Sequence, residues 1–488
     1  MNKINQILPN NINNQHIPIE IISHIKEYIP KPLTDVNIKQ IIKYYFTYDN
    51  DELKKNKEKE DLIQKHKKEK EDLIKKHKKE EEDLIQKYKK EMFDLEERHN
   101  VIKRYGKINN WDVSQVTNMN SLFEVSYDNS DNENNDSDNE NNIEKITSYL
   151  YNFNEDISKW NISQVTDMAS MFQNAKKFNQ PLNDWNVSQV TTMNDMFYRA
   201  ESFNQPLNNW NISSVTNMES MFVGAILFNQ PLNNWNVSNN TNMRFIFSGA
   251  DSFNQPLNNW NVSNVTNMSY MFVGAESFNQ PLNNWNVSKV THMHSMFSYA
   301  TSFNQPLNDW NVSQVMRMNN MFFKANRFNQ SLNDWNVSQV TSMEDMFGIA
   351  TSFNQPLNNW NVSKVQNMNS MFDGANSFNQ PLNNWNVSKV THIHSMFNGA
   401  TKFNQPLNNW NVSNIKRMGF MFNHAEAFNQ PLNNWNVSKV THMHSMFNGA
   451  TSFNQPLNNW NISKVAHMDS MFNGATSFNQ PLKWCNKF

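Results

Sequence analysis

Pairs of histidines separated by one residue are the first residues in this chain that could do chemistry. They are His292 with His294, His392 with His394, and His442 with His444. Two imidazoles on one face of an extended segment can chelate a metal ion, but a protein zinc site needs at least a third protein ligand. No third ligand recurs beside these pairs. We therefore expect no metal site and no cofactor.

Acidic side chains are the second candidates. Asp195, Glu219, Glu344 and Asp469 are scattered over positions that differ between repeats, and no base or nucleophile accompanies them at a fixed spacing. Catalysis by a carboxylate needs such a partner within hydrogen-bond reach. No glycine-rich phosphate-binding loop occurs either. The sequence therefore predicts a protein that is not an enzyme.

The elements that must position these residues are tandem repeats. Trp recurs every 25 residues from Trp160 to Trp460. One unit of this size buries too little apolar surface to offset the conformational entropy that it loses on folding. The units must therefore stack on one another and share a continuous core.

Each repeat combines two apolar spacings. Trp260 and Val262 alternate with polar residues, which predicts a short strand with both side chains inward. A helix of about two turns is predicted to follow, because apolar residues then recur at spacings of three, one and three: Met268, Met271, Phe272 and Ala275. The predicted fold class is therefore an α/β solenoid of 25-residue strand-helix units.

A polar residue also recurs at a fixed position. Asn179, Asn204 and Asn229 each follow the Phe that opens a repeat. Stacked amides can satisfy backbone groups of neighbouring units. We expect a buried hydrogen-bonded ladder here, with ligand binding as the alternative.

Basic residues occupy two registers of the repeat, three residues apart, which we call the basic strip. The first register carries Lys289, Lys364, Lys389, Lys439 and Lys464. The second carries His292, Arg317, His392, Arg417, His442 and His467. Stacking would place the two registers in adjacent columns, so an acidic surface on a protein partner is their natural complement. A solubilising surface is the alternative.

The run FNQPLNNWNVSNVTNMSYMFVGA at residues 253–275 carries a family resemblance. It closely resembles the 25-residue repeat of BspA-like leucine-rich-repeat proteins, which are known in bacterial surface lipoproteins and in proteins of giant DNA viruses. The resemblance implies a leucine-rich-repeat-like α/β solenoid that functions in binding or adhesion and has no catalytic residues.

A second repeat, of 11 residues, precedes the solenoid within residues 49–104. Its apolar residues form one narrow seam, and a period of 11 predicts a helix that can form a right-handed supercoil. Pairs such as Asp61 and Lys65 support the helix at i,i+4 spacing. Self-association through this coiled coil and a lone solvated helix both stay open.

Residues 1–48 resemble the opening of an F-box. The matching positions are Pro18, Glu20, Ile21, Ile22, Ile25 and Ile29. The resemblance implies docking on a ubiquitin ligase, and a small amphipathic helical cap is the alternative.

The remaining domain boundaries follow from the repeats. We expect a degenerate capping repeat at residues 105–127, opened by Trp111, and an acidic, Asn-rich, disordered insertion at 128–148. The main solenoid then spans 149–488 with a truncated C-terminal cap.

Charge and hydropathy narrow the possible partners. The net charge is −2 and no long apolar segment occurs, so we expect neither nucleic acid nor membrane as a partner. The expected location is the cytoplasm, that of the host if the protein is viral. The predicted function is a protein-protein interaction scaffold. The alternatives are a substrate-recognition adaptor of a ubiquitin ligase and a virion or cell-surface attachment protein.

Overall fold

The computed structural model describes residues 107–125 and 150–484, which form a stack of 25-residue units that we call rungs. The rung at residues 253–277 is typical. The F-box-like segment, the charged helix and the acidic insertion predicted from the sequence lie outside the described residues.

Regular secondary structure is sparse in the described ranges. A 3-10 helix spans Ile108–Asn110, and residues 150–151 are helical. Neighbouring rungs otherwise pair in parallel through single residues, as in the bridge from Asn267 to His292. These bridges join one rung to the next along the stack, and we call this side of it the ladder face.

The predicted α/β solenoid of strand-helix units is wrong, because each rung is a chain of β-turns. The N–H of Trp260 donates to the carbonyl of Leu257 at 3.0 Å, and that of Val265 donates to the carbonyl of Val262 at 2.9 Å. The predicted helical segment contains the same contact, from Ala275 to Phe272 at 3.1 Å. Each β-turn directs the side chains of its first and last residues toward the core. Apolar residues therefore recur at a spacing of three although no helix is present.

Two left-handed residues per rung prevent the helix. Tyr270 has a φ of 61° and Gly274 a φ of 68°, whereas a helix needs a negative φ throughout. The N–H groups of Tyr270 and Gly274 instead donate to the carbonyls of His294 and Ser298 in the next rung, at 3.0 and 2.8 Å. Hydrogen bonds between rungs thus replace those that a helix makes within itself.

The interior consists of aromatic columns. Trp260 is 2% exposed and Phe272 is fully buried, which confirms the predicted inward orientation of the Trp residues. The rings of Phe272 and Phe297 lie 5.6 Å apart with an angle of 6° between them. Such offset stacks add to the stabilisation from burial, because aromatic pairs contribute beyond their apolar area.

The distance between rungs differs across the stack. Parallel backbone pairing holds the ladder face at a spacing of about 4.8 Å, and His442 and His467 stack there at 4.5 Å. On the other side, Trp260 and Trp285 are 6.5 Å apart and almost parallel. Because the spacing is wider on the Trp side, we infer that the stack curves with the ladder face on its inner, concave side.

The predicted Asn ladder bridges the wide side. The Oδ1 of Asn254 accepts hydrogen bonds from the backbone N–H of Asn279 at 2.9 Å and from the Nε2 of Gln280 at 3.0 Å. A side-chain amide is needed here because the rungs are too far apart for direct backbone pairing. The ladder was expected to be buried, and its amides are half-buried.

The first described rung stacks directly on the second. Asn118 pairs with Asp167, and Trp160 donates its Nε1–H to the carbonyl of Ile108 at 2.8 Å. The rungs are therefore in register on either side of residues 126–149. Within the described ranges, no helix has the length and apolar character to cross a membrane.

Candidate functional site

The second register of the basic strip is the bridging column of the ladder face. His392, Arg417, His442 and His467 pair in consecutive rungs, and His292 pairs with Arg317. Ser342 and Asn367 lie between these two groups. The structure therefore divides the basic strip into a short cluster at His292 and a longer one at the C-terminal end of the stack.

The lysine register runs beside this column and is exposed in every rung where it occurs. Lys439 donates from Nζ to the Oδ1 of Asn414 at 2.8 Å, and Lys289 makes the same contact to Asn264. These lysines lie back over the preceding rung, where their partners are neutral amides. Their positive charges are not neutralised by these contacts.

A third column of imidazoles lies two residues after the bridging column. Its members are His294, His394 and His444, for which the sequence alone indicates only the histidine pairs. The structure places them on the ladder face next to the bridging column, where they extend the basic strip. Their i,i+2 spacing from His292, His392 and His442 indicates a shared face, which was the available signal.

Lys416 is a further basic residue beside the bridging column, and it lies outside the two registers predicted from the sequence. It is exposed and directly precedes Arg417. The two flanking rungs have Thr391 and Thr441 at the equivalent position. Lys416 therefore places a positive charge where the neighbouring repeats have a neutral residue. Comparison of this register between repeats could have found it.

His394 and His444 lie close together although one complete rung lies between the rungs that carry them. Their ring centroids are 5.7 Å apart. The residue between them in the column is Gly419, where an added Cβ would lie 2.6 Å from the Cε1 of His444. Phe420 contacts both imidazoles edge to face, at 5.5 and 4.8 Å. A missing side chain thus lets the two rings converge, and a neighbouring aromatic ring supports them.

Threonine hydroxyls orient the bridging imidazoles. The Oγ1 of Thr391 donates to the carbonyl of Gln366 at 3.2 Å and lies 2.8 Å from the Nδ1 of His392. With the hydroxyl proton directed at the carbonyl, the network is satisfied when the imidazole donates its Nδ1–H to the hydroxyl oxygen. Thr441 makes the same arrangement with His442. The Nε2 atom is thereby left to bind a ligand.

The local charges act on the histidine pKa values. Burial lowers the pKa of His394, and the nearby His444, Arg417 and His442 lower it further. Desolvation also lowers the pKa of His442, with the charges of His467, Arg417 and His444 acting in the same direction. These rings therefore gain a proton only at a lower pH than an isolated histidine.

These side chains surround a small pocket of about 180 Å³. Its lining consists of Asn369, His392, His394, Arg417, His442 and His444. No carboxylate is among them. We call this the histidine-arginine pocket.

Five segments of the chain match one family of proteins. They are residues 90–209, 125–235, 203–310, 301–408 and 377–485, and the family is described as Mycoplasma protein of unknown function, DUF285. The chain belongs to the DUF285 family. It is a repeat protein of the kind that the BspA-like resemblance implied, although the match does not extend to the leucine-rich-repeat or F-box features. No curated protein matches the chain.

A second, more open groove on the ladder face of this DUF285 protein has mixed charge. It is lined by His294 and Arg317 together with Glu344. Next to that carboxylate, burial raises the pKa of Asp345 to about 6, and Glu344 and Asp373 contribute to the shift. Within the described ranges, no three His, Cys, Asp or Glu side chains are arranged to hold a metal ion.

Proposed function

We propose that this DUF285 protein is a non-catalytic scaffold. Its concave ladder face binds an acidic surface of a protein partner. The observation that carries the proposal is the bridging column from His392 to His467, which presents a basic side chain in four consecutive rungs. Tandem repeats of this kind suggest a repeat-based scaffold or surface protein. Curved stacks of repeats characteristically bind partners on an extended concave surface.

The column is electrostatically unfavourable in the isolated protein. His442 and His467 stack at 4.5 Å, and once both rings are protonated their like charges repel by about 1 kcal/mol even in bulk water. The lysine column beside them adds charge that its amide partners do not neutralise. An acidic partner would relieve this repulsion, which favours association.

The position of the strip also supports a binding surface over a solubilising one. Solubilising charges are normally of both signs and interspersed. Lys389, Arg417, Lys439 and Lys464 instead fall in neighbouring rungs, on one side of the stack. A one-sign patch of this kind steers an oppositely charged protein toward it.

Charge reversal tests the proposal. One variant changes Lys389, Arg417, Lys439 and Lys464 to Glu, and the matched control changes the exposed Lys177, Arg327, Lys402 and Lys483 to Glu. Both variants change the net charge equally. Binding of fluorescent polyglutamate, measured by anisotropy, should fall at least about ten-fold for the first variant only, since close charge pairs contribute 1.5 kcal/mol or more. An equal loss of polyglutamate affinity in both variants would show that binding depends only on the net charge, and the proposal would be rejected.

A further inference from the structure

We propose that the histidine-arginine pocket binds a phosphate group carried by a phosphorylated protein partner. The inference rests on the proposed function, because it assigns a chemical group to the acidic partner at one point of the basic strip. Asn369, Arg417 and four imidazoles surround the pocket. The ligand class is a phosphate monoester, of which inorganic phosphate is the simplest probe.

The lining favours an oxyanion over other ligands. Arg417 supplies a planar guanidinium, a cation that is suited to bidentate contact with phosphate. The Nε2 atoms of His392 and His442 are available because threonine hydroxyls hold their Nδ1–H groups. Each becomes a donor when the ring is protonated. A bound anion stabilises that protonated form.

The number of donors distinguishes phosphate from carboxylate. A carboxylate offers two oxygens, whereas a phosphate monoester offers three and carries a charge between −1.5 and −2 at neutral pH. The pocket supplies one guanidinium and, once the rings are protonated, four imidazolium donors around a single small volume. That set exceeds what two oxygens can satisfy.

The pocket is specific to one place in the stack. The column of His394 and His444 contains Gly419 between them, and an added Cβ there would collide with the His444 ring. The charged residues that border this column are Glu344, two rungs before His394, and Asp469, one rung after His444. Neither lines the pocket. Outside the pocket, Lys416 and Lys439 add exposed positive charge from the same rungs.

A protein is the source of phosphate that the surroundings favour. A nucleic acid offers phosphates at regular intervals and bases for stacking, and single-stranded binders therefore combine a basic groove with exposed aromatic rings. The exposed large apolar side chains of the described residues are Ile226, Leu227, Tyr299 and Met316, none of which lines the pocket. The net charge of −2 likewise does not favour a polyanion.

Phosphate titration of the full chain tests the pocket. With histidine labelled at Cε1, inorganic phosphate at constant ionic strength and pH 6.5 should shift the ring signals of His394 and His444 in a saturable manner. Arg417→Gln should weaken binding at least about ten-fold, because a hydrogen bond to a charged group contributes about 1.5–3 kcal/mol. The matched control is Arg317→Gln, which removes an arginine from the same column outside the pocket and should leave the affinity unchanged.

A second variant guards against loss of fold. Gly419→Ala fills the space beneath His444 and should abolish the phosphate-dependent shifts, while thermal unfolding shows whether the stack persists. Arg417→Lys should bind phosphate more tightly than Arg417→Gln, since it restores the charge without the planar geometry. The assignment of the pocket as a phosphate site would be overturned if the histidine signals responded equally to chloride. It would also be overturned if Arg417→Gln left the phosphate affinity unchanged.

Further arms separate the possible results. A phosphoserine peptide should bind more tightly than its unphosphorylated form and more tightly than vesicles that contain phosphoinositides, and the reverse order would overturn the assignment to a protein. Retained polyglutamate binding without phosphate saturation would reject the pocket alone. Phosphate saturation combined with polyglutamate binding that is insensitive to the fourfold charge reversal would instead reject the proposed function.

Discussion

The indole Nε1–H of Trp310 donates a 3.0 Å hydrogen bond to the carbonyl oxygen of Leu282 in the preceding rung. The same bond joins Trp260 to Leu232 and Trp410 to Leu382. Each Trp therefore fills the core of its own rung and also satisfies a buried backbone group of its neighbour. The wide side of the stack is held by such side-chain bonds, because direct backbone pairing does not reach there.

Truncation of Trp310 should be costly. Trp310→Ala should destabilise the stack by about 3–5 kcal/mol, because it leaves a cavity among columns that cannot collapse into it. Trp310→Phe should cost about 0.5–1.5 kcal/mol, since the carbonyl of Leu282 loses one of its two donors and keeps the backbone N–H of Trp285. Urea unfolding followed by circular dichroism measures both. Asp309→Ala is the control and should be nearly neutral, so equal losses for Ala at both positions would contradict the inward Trp.

The Asn ladder predicts a difference between amides that join two rungs and amides that do not. Asn254→Ala should destabilise by about 1–3 kcal/mol, because the N–H of Asn279 loses its acceptor. Asn284→Ala should cost much less, since its exposed side chain contacts the amide of the neighbouring Asn283 and does not bridge to another rung. The denaturation midpoints of the two variants provide the comparison. Similar shifts would show that the amide acts within its own rung.

The raised pKa of Asp345 predicts a change of stability with pH. A carboxyl whose folded pKa of about 6 exceeds its unfolded value of 3.8 destabilises the fold once it ionises. Stability should therefore fall as pH rises from about 4 to about 6. Asp345→Asn should be more stable than the wild type at pH 7.5, by about 1 kcal/mol after allowance for solvent screening, and the two should converge near pH 4. Thermal melts across this pH range provide the measurement. A difference in melting temperature between variant and wild type that stayed constant with pH would refute the raised pKa of Asp345.

The burial pattern was accessible from the sequence, whereas the backbone conformation was not. The inward positions of Trp260 and Phe272 follow from the 25-residue period and the apolar spacing. That spacing predicts a helix as readily as a series of turns, because a β-turn and a helix both place residues i and i+3 on one side. The deciding features are the left-handed Tyr270 and the hydrogen bonds to the next rung, and neither leaves a pattern within a single repeat.

The candidate site divides in the same way. The columns of the basic strip could be predicted, because any stacked repeat places equivalent residues next to each other. The histidine-arginine pocket could not, since it depends on one glycine, Gly419, whose effect appears only when His394 and His444 are placed on either side of it. The concave position of the strip depends on rung spacings that a sequence does not contain.

Binding of an acidic partner should depend on pH below the usual range of histidine. The sequence places this transition near 6.5, the ordinary pKa of histidine, but burial and neighbouring charges lower the pKa of His394 and His442. Polyglutamate affinity should therefore rise as the pH falls below 6.5, where the peptide itself stays ionised down to about 5. The double variant His394→Gln, His442→Gln should flatten the dependence. An unchanged pH profile in that variant would exclude these two rings as the source of the pH dependence.

The most direct test of the ladder face is a lysine footprint of the complex. Acetylation in the presence and absence of bound polyglutamate, followed by mass spectrometry, reports which lysines the partner covers. All five lysines concerned are exposed in the free protein: Lys389, Lys439 and Lys464 on the basic strip, and Lys177 and Lys402 away from it. We predict protection of the three strip lysines and unchanged labelling of the other two. Equal protection of both groups, or protection of Lys177 and Lys402 alone, would contradict binding on the concave ladder face.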